Sequence, residues 1–142
     1  MILQEIIDRL TEAKADLGLK FIGGAAEFAA LNASPPKHQQ PAAYVMPGTE
    51  RAARNQLVGK HRQRVTTGYL VLLALGNLRD PNGLGASIAL EQLIEDVRLH
   101  LAGWKPEGAV TAMQYESGRL QGVQDQVVWR QLNFTLDTML NA

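Results

Sequence analysis

The chain contains no cysteine, which excludes a disulfide scaffold, a thiolate metal site and a cysteine nucleophile, and leaves its redox compartment open. Charge of one sign is also missing. Fourteen basic and fourteen acidic residues give a formal net charge of zero, so the molecule as a whole has no strong attraction to nucleic acid or to an anionic membrane. Aromatic residues are scarce at 6%, which leaves little material for base-stacking platforms. The longest apolar run, Tyr69 to Leu75, falls far short of the roughly 20 residues that a membrane helix needs. The opening Met1-Ile2-Leu3-Gln4-Glu5 has no basic region ahead of its apolar residues, so it is not expected to be a signal peptide, and a soluble, cytosolically made protein is the simplest expectation.

What is present is a core of useful size. At 142 residues and 46% hydrophobic content the chain suits one compact domain and is too short for two ordinary ones. Leu3, Ile6, Ile7, Leu10, Ala13 and Leu17 share one stripe of an amphipathic helix that ends at Gly18. Leu19 to Ile22 reads as a short strand, and Gly23-Gly24 turns the chain into a second short helix over Ala25 to Leu31. Three prolines between Ala33 and Pro41 predict an exposed, partly extended loop. A strand is expected over Ala42 to Met46, ending at the turn-forming pair Pro47-Gly48.

Val65 to Leu75 is the strongest strand. Val65, Thr67, Tyr69, Val71, Leu73 and Leu75 make one face, and Leu70, Leu72 and Ala74 make the other apolar too, so it belongs at the centre of a sheet covered twice. Asp80-Pro81-Asn82-Gly83 predicts a turn, followed by a helix starting near a Ser87 cap. Leu90, Leu93, Ile94, Val97 and Leu101 form the apolar stripe of that helix, which stops at Gly103 before Trp104-Lys105-Pro106. Two extended runs, Met113 to Leu120 and Val127 to Leu136, close the chain. Val128, Leu132, Phe134 and Leu136 are expected to face the helices, leaving Trp129, Gln131, Asn133 and Thr135 on a half-polar opposite face. The order of elements predicts a single α+β domain, a mainly antiparallel or mixed sheet with two or three helices packed on it.

The inventory for chemistry is thin. Histidines 38, 61 and 100 are far apart and lack the close spacing of a metal site, so no metal or cofactor is expected. The glycine-rich stretch from Gly76 to Ser87 lacks the Lys-Ser/Thr ending of a phosphate loop and reads as a turn. Tyr115-Glu116-Ser117-Gly118-Arg119 fails the nucleophile-elbow pattern because Tyr115 stands where its first glycine belongs. Glu91 and Glu95 lie on the polar stripe of the helix, where a solvated face or an ion-pair edge between subunits explains them better than acid–base catalysis. No catalytic residue is assigned, and the chain is not expected to be an enzyme.

The strongest signal outside the core is basic. Arg51, Arg54, Lys60, Arg62 and Arg64 face a single acid, Glu50, in a segment without apolar periodicity. Thr49 to Arg64 therefore reads as a long, mobile connection with a turn at Gly59, or with one or two helical turns over Ala52 to Leu57. It either is simply solvated or touches DNA phosphates or an acidic partner.

Leu90 to Pro106, especially Val97-Arg98 and Gly103-Trp104-Lys105-Pro106, then Tyr115 to Leu120, Val127-Val128-Trp129, Ala43 to Pro47 and Val65 to Leu75 together resemble the tail-terminator or tail-completion proteins of long-tailed bacteriophages, including Mu-like prophages. The resemblance covers most of the chain after residue 40 and rests on packing and turn signals. It implies a non-enzymatic virion protein of the tail and neck. Such a protein assembles as a hexameric ring on the head-proximal end of the tail tube, stops tube polymerisation and presents a surface for head–neck joining. The implied partners are other copies of the chain, the tail tube protein and the head–tail connector, with non-specific contact to genomic DNA in the lumen and no membrane. Glu91, Glu95, Trp129 and Gln131 are the candidate subunit contacts, and the five basic residues the candidate partner or lumen contacts. Alternatives are another neck or tail-completion protein, or a small nucleic-acid-binding module that uses the basic segment.

Overall fold

In the computed structural model the described residues are 1–31, 34–76, 84–124 and 126–142, with the backbone alone over 84–87. The apolar stripe of the first segment forms α1 (Ile2–Glu12), and one further turn, α2 (Lys14–Leu17), carries it to Gly18. Gly18 takes the left-handed conformation (φ 73°) that closes the helix. Ile6 and Leu10 are fully buried, and burial of each stabilises the fold by about 1.5–3 kcal/mol. Next come β1 (Phe21–Gly23) and α3 (Ala25–Ala29), where the Glu27 carboxylate accepts a 3.0 Å hydrogen bond from the Gly24 amide at the start of the helix. The proline-rich segment contains a 3₁₀ turn at Lys37–Gln39.

β2 (Ala42–Ala52), β3 (Arg62–Gly76), α4 (Leu84–Leu101), β4 (Gln114–Gln124) and β5 (Val127–Asn141) complete the chain. The strands form one mixed sheet in the order β1-β2-β3-β5-β4, with β1 parallel to β2 and the other pairs antiparallel. The fold is α+β, as expected. α1 and α4 lie on one face of the sheet, over Val45, Tyr69, Val71, Leu73, Leu132, Phe134 and Leu136. On the other face a smaller core gathers Ala42, Tyr44, Leu72, Ala74, Val127 and Trp129, with Phe21 and Phe28 packed on it. β3 is therefore central and covered on both faces at its inner end, as its two apolar faces require.

Two helix-side ties set the angle of α1 on α4. The Arg9 guanidinium donates to the His100 carbonyl at 3.2 Å, and the His100 ring contacts the Arg9 carbonyl at 3.0 Å. Arg9 also lies over the Trp104 ring, 5.1 Å from its centre. His100 thus has a structural role. Gly103 (φ 84°) reverses the chain after α4, and paired 2.8 Å hydrogen bonds between Gly103, Trp104 and Met113 clip the loop to the strand lead-in.

Three local expectations are corrected. β2 does not stop at Pro47-Gly48 but runs to Ala52, with a register irregularity between Pro47 and Glu50. β1 pairs only with Ala42 to Tyr44, so beyond that point β2 is an edge, and the missing proline N–H breaks no ladder on the open side. The segment Thr49 to Arg64 is correspondingly a long hairpin. Only residues 53–61 link its strands, with the expected turn at Gly59 (φ 75°) and without helical turns. Finally, Ser87 lies inside α4, which begins at Leu84. The predicted turn at Asp80 to Gly83 lies outside the described residues.

Candidate functional site

β2, β3 and β5 continue together past the helices as a three-stranded arm. Arg51 pairs with Thr66, Arg62 with Asn141 and Arg64 with Met139. Side chains alternate across a strand, so Arg51, Arg62 and Arg64 share one face of the arm. Its tip is held by Asn55. The Asn55 amide donates to the carbonyls of Leu57 (3.3 Å) and Lys60 (3.2 Å), and its oxygen accepts from the Arg62 amide (3.0 Å). Around that turn Val58 is wholly exposed and Leu57 46% exposed. Arg54, Leu57, Arg62, Arg64 and Met139 line a shallow hollow of about 310 Å³.

The five basic residues thus come together, but they are not equivalent. Arg51, Arg54, Lys60 and Arg62 are exposed. Arg64 is exposed as well, but it donates to Asp137 at 2.6 Å, and Asp137 also accepts from the Thr66 hydroxyl at 2.7 Å. These hydrogen bonds, Thr66 first and then Arg64, hold the Asp137 carboxyl below the usual carboxylate range. Arg64 therefore ties β3 to β5 within the arm.

Between the arm and the α3-covered end, the sheet face is open and lined with amides. Gln121 donates to Gln131 (2.7 Å), Gln131 to Asn133 (2.8 Å) and Asn133 to the Ser117 hydroxyl (2.9 Å). Gln131 and Asn133, with Gly48 and Gly68 opposite, line a hollow of about 350 Å³. Gln131 is half-buried within this network, on the half-polar face where the sequence puts it. Trp129 is not available there. It is only 9% exposed, with its ring 6.0 Å from Tyr44 and 5.8 Å from Phe28, because α3 folds back over that end of the face. The expectation of an open Trp129 contact surface is corrected accordingly.

The outward stripe of α4 carries Ile88 (62% exposed), Glu91, Gln92, Glu95 and Leu99 (73% exposed). Glu91 makes a loose 4.0 Å contact with Arg130, and Gln92 donates to Asp96 at 2.9 Å. Sequence reasoning found the acids but passed over the two flanking apolar side chains, whose signal was their place on the polar stripe of an otherwise regular pattern.

Among the described residues the perturbed titratable groups do not converge. Burial raises the pKa of Tyr44, and burial followed by the charges of Glu50 and Glu5 raises that of Tyr69, while Asp137 lies on the arm. Among the described residues no group of His, Cys, Asp or Glu is arranged to hold a metal ion. Ser117 sits in β4 as a hydrogen-bond acceptor for Asn133, which gives it a strand role.

A projecting arm, an amide-lined sheet face and an exposed helix stripe are thus the main surface features of the described residues. The profile of the family described as phage tail terminator protein matches residues 1–142, and the chain belongs to that family. It is therefore a structural protein of the phage virion, in the tail and neck region. Among solved structures, a chain of the native gene transfer agent virion superimposes with a TM-score of 0.59 at 14% identity, over 95% of this chain and 92% of that one. At that identity the likeness is one of fold. No curated protein matches the sequence.

Proposed function

We propose that copies of this chain close into a ring on the head-proximal end of the tail tube, stop its polymerisation and offer the outward surface on which the neck is joined. The observation that carries this reading is membership of the tail terminator family over the full 142 residues. The form of the molecule supports it. A closed ring needs two different, complementary patches on each subunit, since its contacts are heterologous. The arm and the outer stripe of α4 are two such patches, one basic and one acidic. The ring count of six follows from the family resemblance, as do the tube protein and the connector as partners. The half-polar face around Gln131 is a further candidate for contact, and the lumen-facing side of the ring would meet genomic DNA.

The test is light scattering and electron microscopy of the purified protein, alone and with tail tubes. Rings, or discrete caps at one end of the tubes, are expected. A strict monomer that leaves tubes uncapped overturns the reading. Nucleic-acid binding through the arm is a second reading, favoured by the exposure of Arg51, Arg54, Lys60 and Arg62. It predicts DNA retention at low salt that falls steeply with salt and with alanine at those four positions.

A further inference from the structure

The neutral total charge conceals a division. Residues 50–64 hold five of the fourteen basic residues and one of the fourteen acidic ones, which leaves nine basic and thirteen acidic residues in the rest of the chain. The two halves of that division are also matched in pattern. At the arm tip, Leu57 and Val58 are exposed among Arg54, Lys60 and Arg62. On α4, Ile88 and Leu99 are exposed at the two ends of a stripe whose middle holds Glu91 and Glu95. Each patch pairs apolar area with charge, and the charges are opposite.

The two cannot meet within one molecule. Glu91 lies beside Arg130, which pairs with Leu73. From Leu73 to Arg62, β3 extends for roughly 35 Å at the ordinary rise of a strand, and for roughly 23 Å from Tyr69, which lies beside the Leu99 end of the stripe where Arg98 sits over Tyr115. Within the arm β3 is hydrogen-bonded to β2 on one side and β5 on the other, so it does not fold back.

We propose that the arm tip of one copy docks on the outer stripe of α4 of the next copy, with Leu57 and Val58 seated beside Leu99 and with Arg54, Lys60 and Arg62 facing Glu91 and Glu95. The occupant of each patch is a second copy of this chain. The contact is heterologous, because arm meets helix and not arm, so it propagates around a ring. Burying the exposed leucine and valine side chains supplies the drive, and the charges set register and exclude arm-to-arm pairing. This rests on the ring reading above and names the surface that builds the ring.

The lack of native cysteine makes the test clean. Val58→Cys and Leu99→Cys are introduced singly and together in the full chain, followed by a short bis-maleimide. The double variant is expected to give a ladder of covalent multimers, a mixture of the two single variants a covalent dimer, and each single variant alone only monomer. In parallel, Arg54→Glu/Arg62→Glu and Glu91→Lys/Glu95→Lys are each expected to weaken self-association by about tenfold or more, and combining all four to restore it. Rings without the Val58–Leu99 cross-link, cross-linking of Val58→Cys to itself, or a four-fold variant as impaired as its parents would overturn the contact and leave the ring reading standing. A ring unaffected by Arg54→Glu/Arg62→Glu, with loss of salt-sensitive DNA retention, would assign the arm to nucleic acid and also overturn it. A strict monomer at every concentration would remove the ring reading and this contact together.

Discussion

The inner and outer halves of β3 are one strand in two environments. From Val71 to Ala74 every side chain is buried, odd-numbered ones under α1 and α4 and even-numbered ones in the aromatic core beneath α3. From Arg62 to Gly68 only Val65 is buried, and the ladder to β2 and β5 continues with water on most of both faces. Backbone pairing alone thus extends a sheet beyond its core, provided that its neighbours extend too. What the outer half gains is reach: it presents charge and apolar area away from the body. Stability resides in the inner half, and the proposed contact puts assembly in the outer half.

The first way to break the comparison is through the core. Phe134 is fully buried opposite Tyr69, so Phe134→Ala should cost about 3–5 kcal/mol in urea unfolding, whereas Leu140→Ala on the arm, where the side chain is 48% exposed, should change stability by less than about 0.5 kcal/mol. Equal losses would show that arm and body form one stability unit. A milder test falls on the loop after α4. Gly103 holds φ 84°, so Gly103→Ala should cost about 1 kcal/mol, measured by the same unfolding curve, although nothing lies near its added methyl group.

The smallest expected effect concerns acid. The Asp137 pKa is lower in the folded protein than in the unfolded chain, where it is about 3.9. Its contribution is therefore fully present above that value and is lost as pH falls through the lower folded value. Asp137→Asn should be less stable than the parent at neutral pH, with the gap closing as the solution is acidified. Thr66→Val should move the Asp137 carboxyl back towards its ordinary range in an NMR titration. A carboxyl unmoved in Thr66→Val would mean that the arm's strands are not held together as described.

The body was legible in the amino-acid order because its elements bury one side. The 3.6-residue stripes of α1 and α4 and the doubly apolar run of β3 are consequences of burial, and each appears where the pattern puts it. The arm was not legible for the same reason. Strands with water on both faces carry no alternation, so Thr49 to Arg64 looked like a loop, and Pro47-Gly48 looked like an end. Trp129 lies on the face where the pattern puts it, but its burial there was not legible, because its cover is α3, a five-residue helix about a hundred positions earlier whose alanines give little sign of a buried face. The basic residues were found from composition alone, but composition could not separate Arg64, tied to Asp137, from the four that stand free of the sheet's own ion pair.

The division of labour along the sheet is tested most directly by shortening the arm. Ala53 and Arg64 already share a 2.7 Å backbone hydrogen bond, so residues 54–63 can be replaced by Asn-Gly to close a two-residue hairpin at that point. The shortened protein should unfold at nearly the parent's urea midpoint and neither form rings nor cap tail tubes in electron micrographs. A shortened protein that caps tubes as well as the parent would contradict the assignment of assembly to the arm.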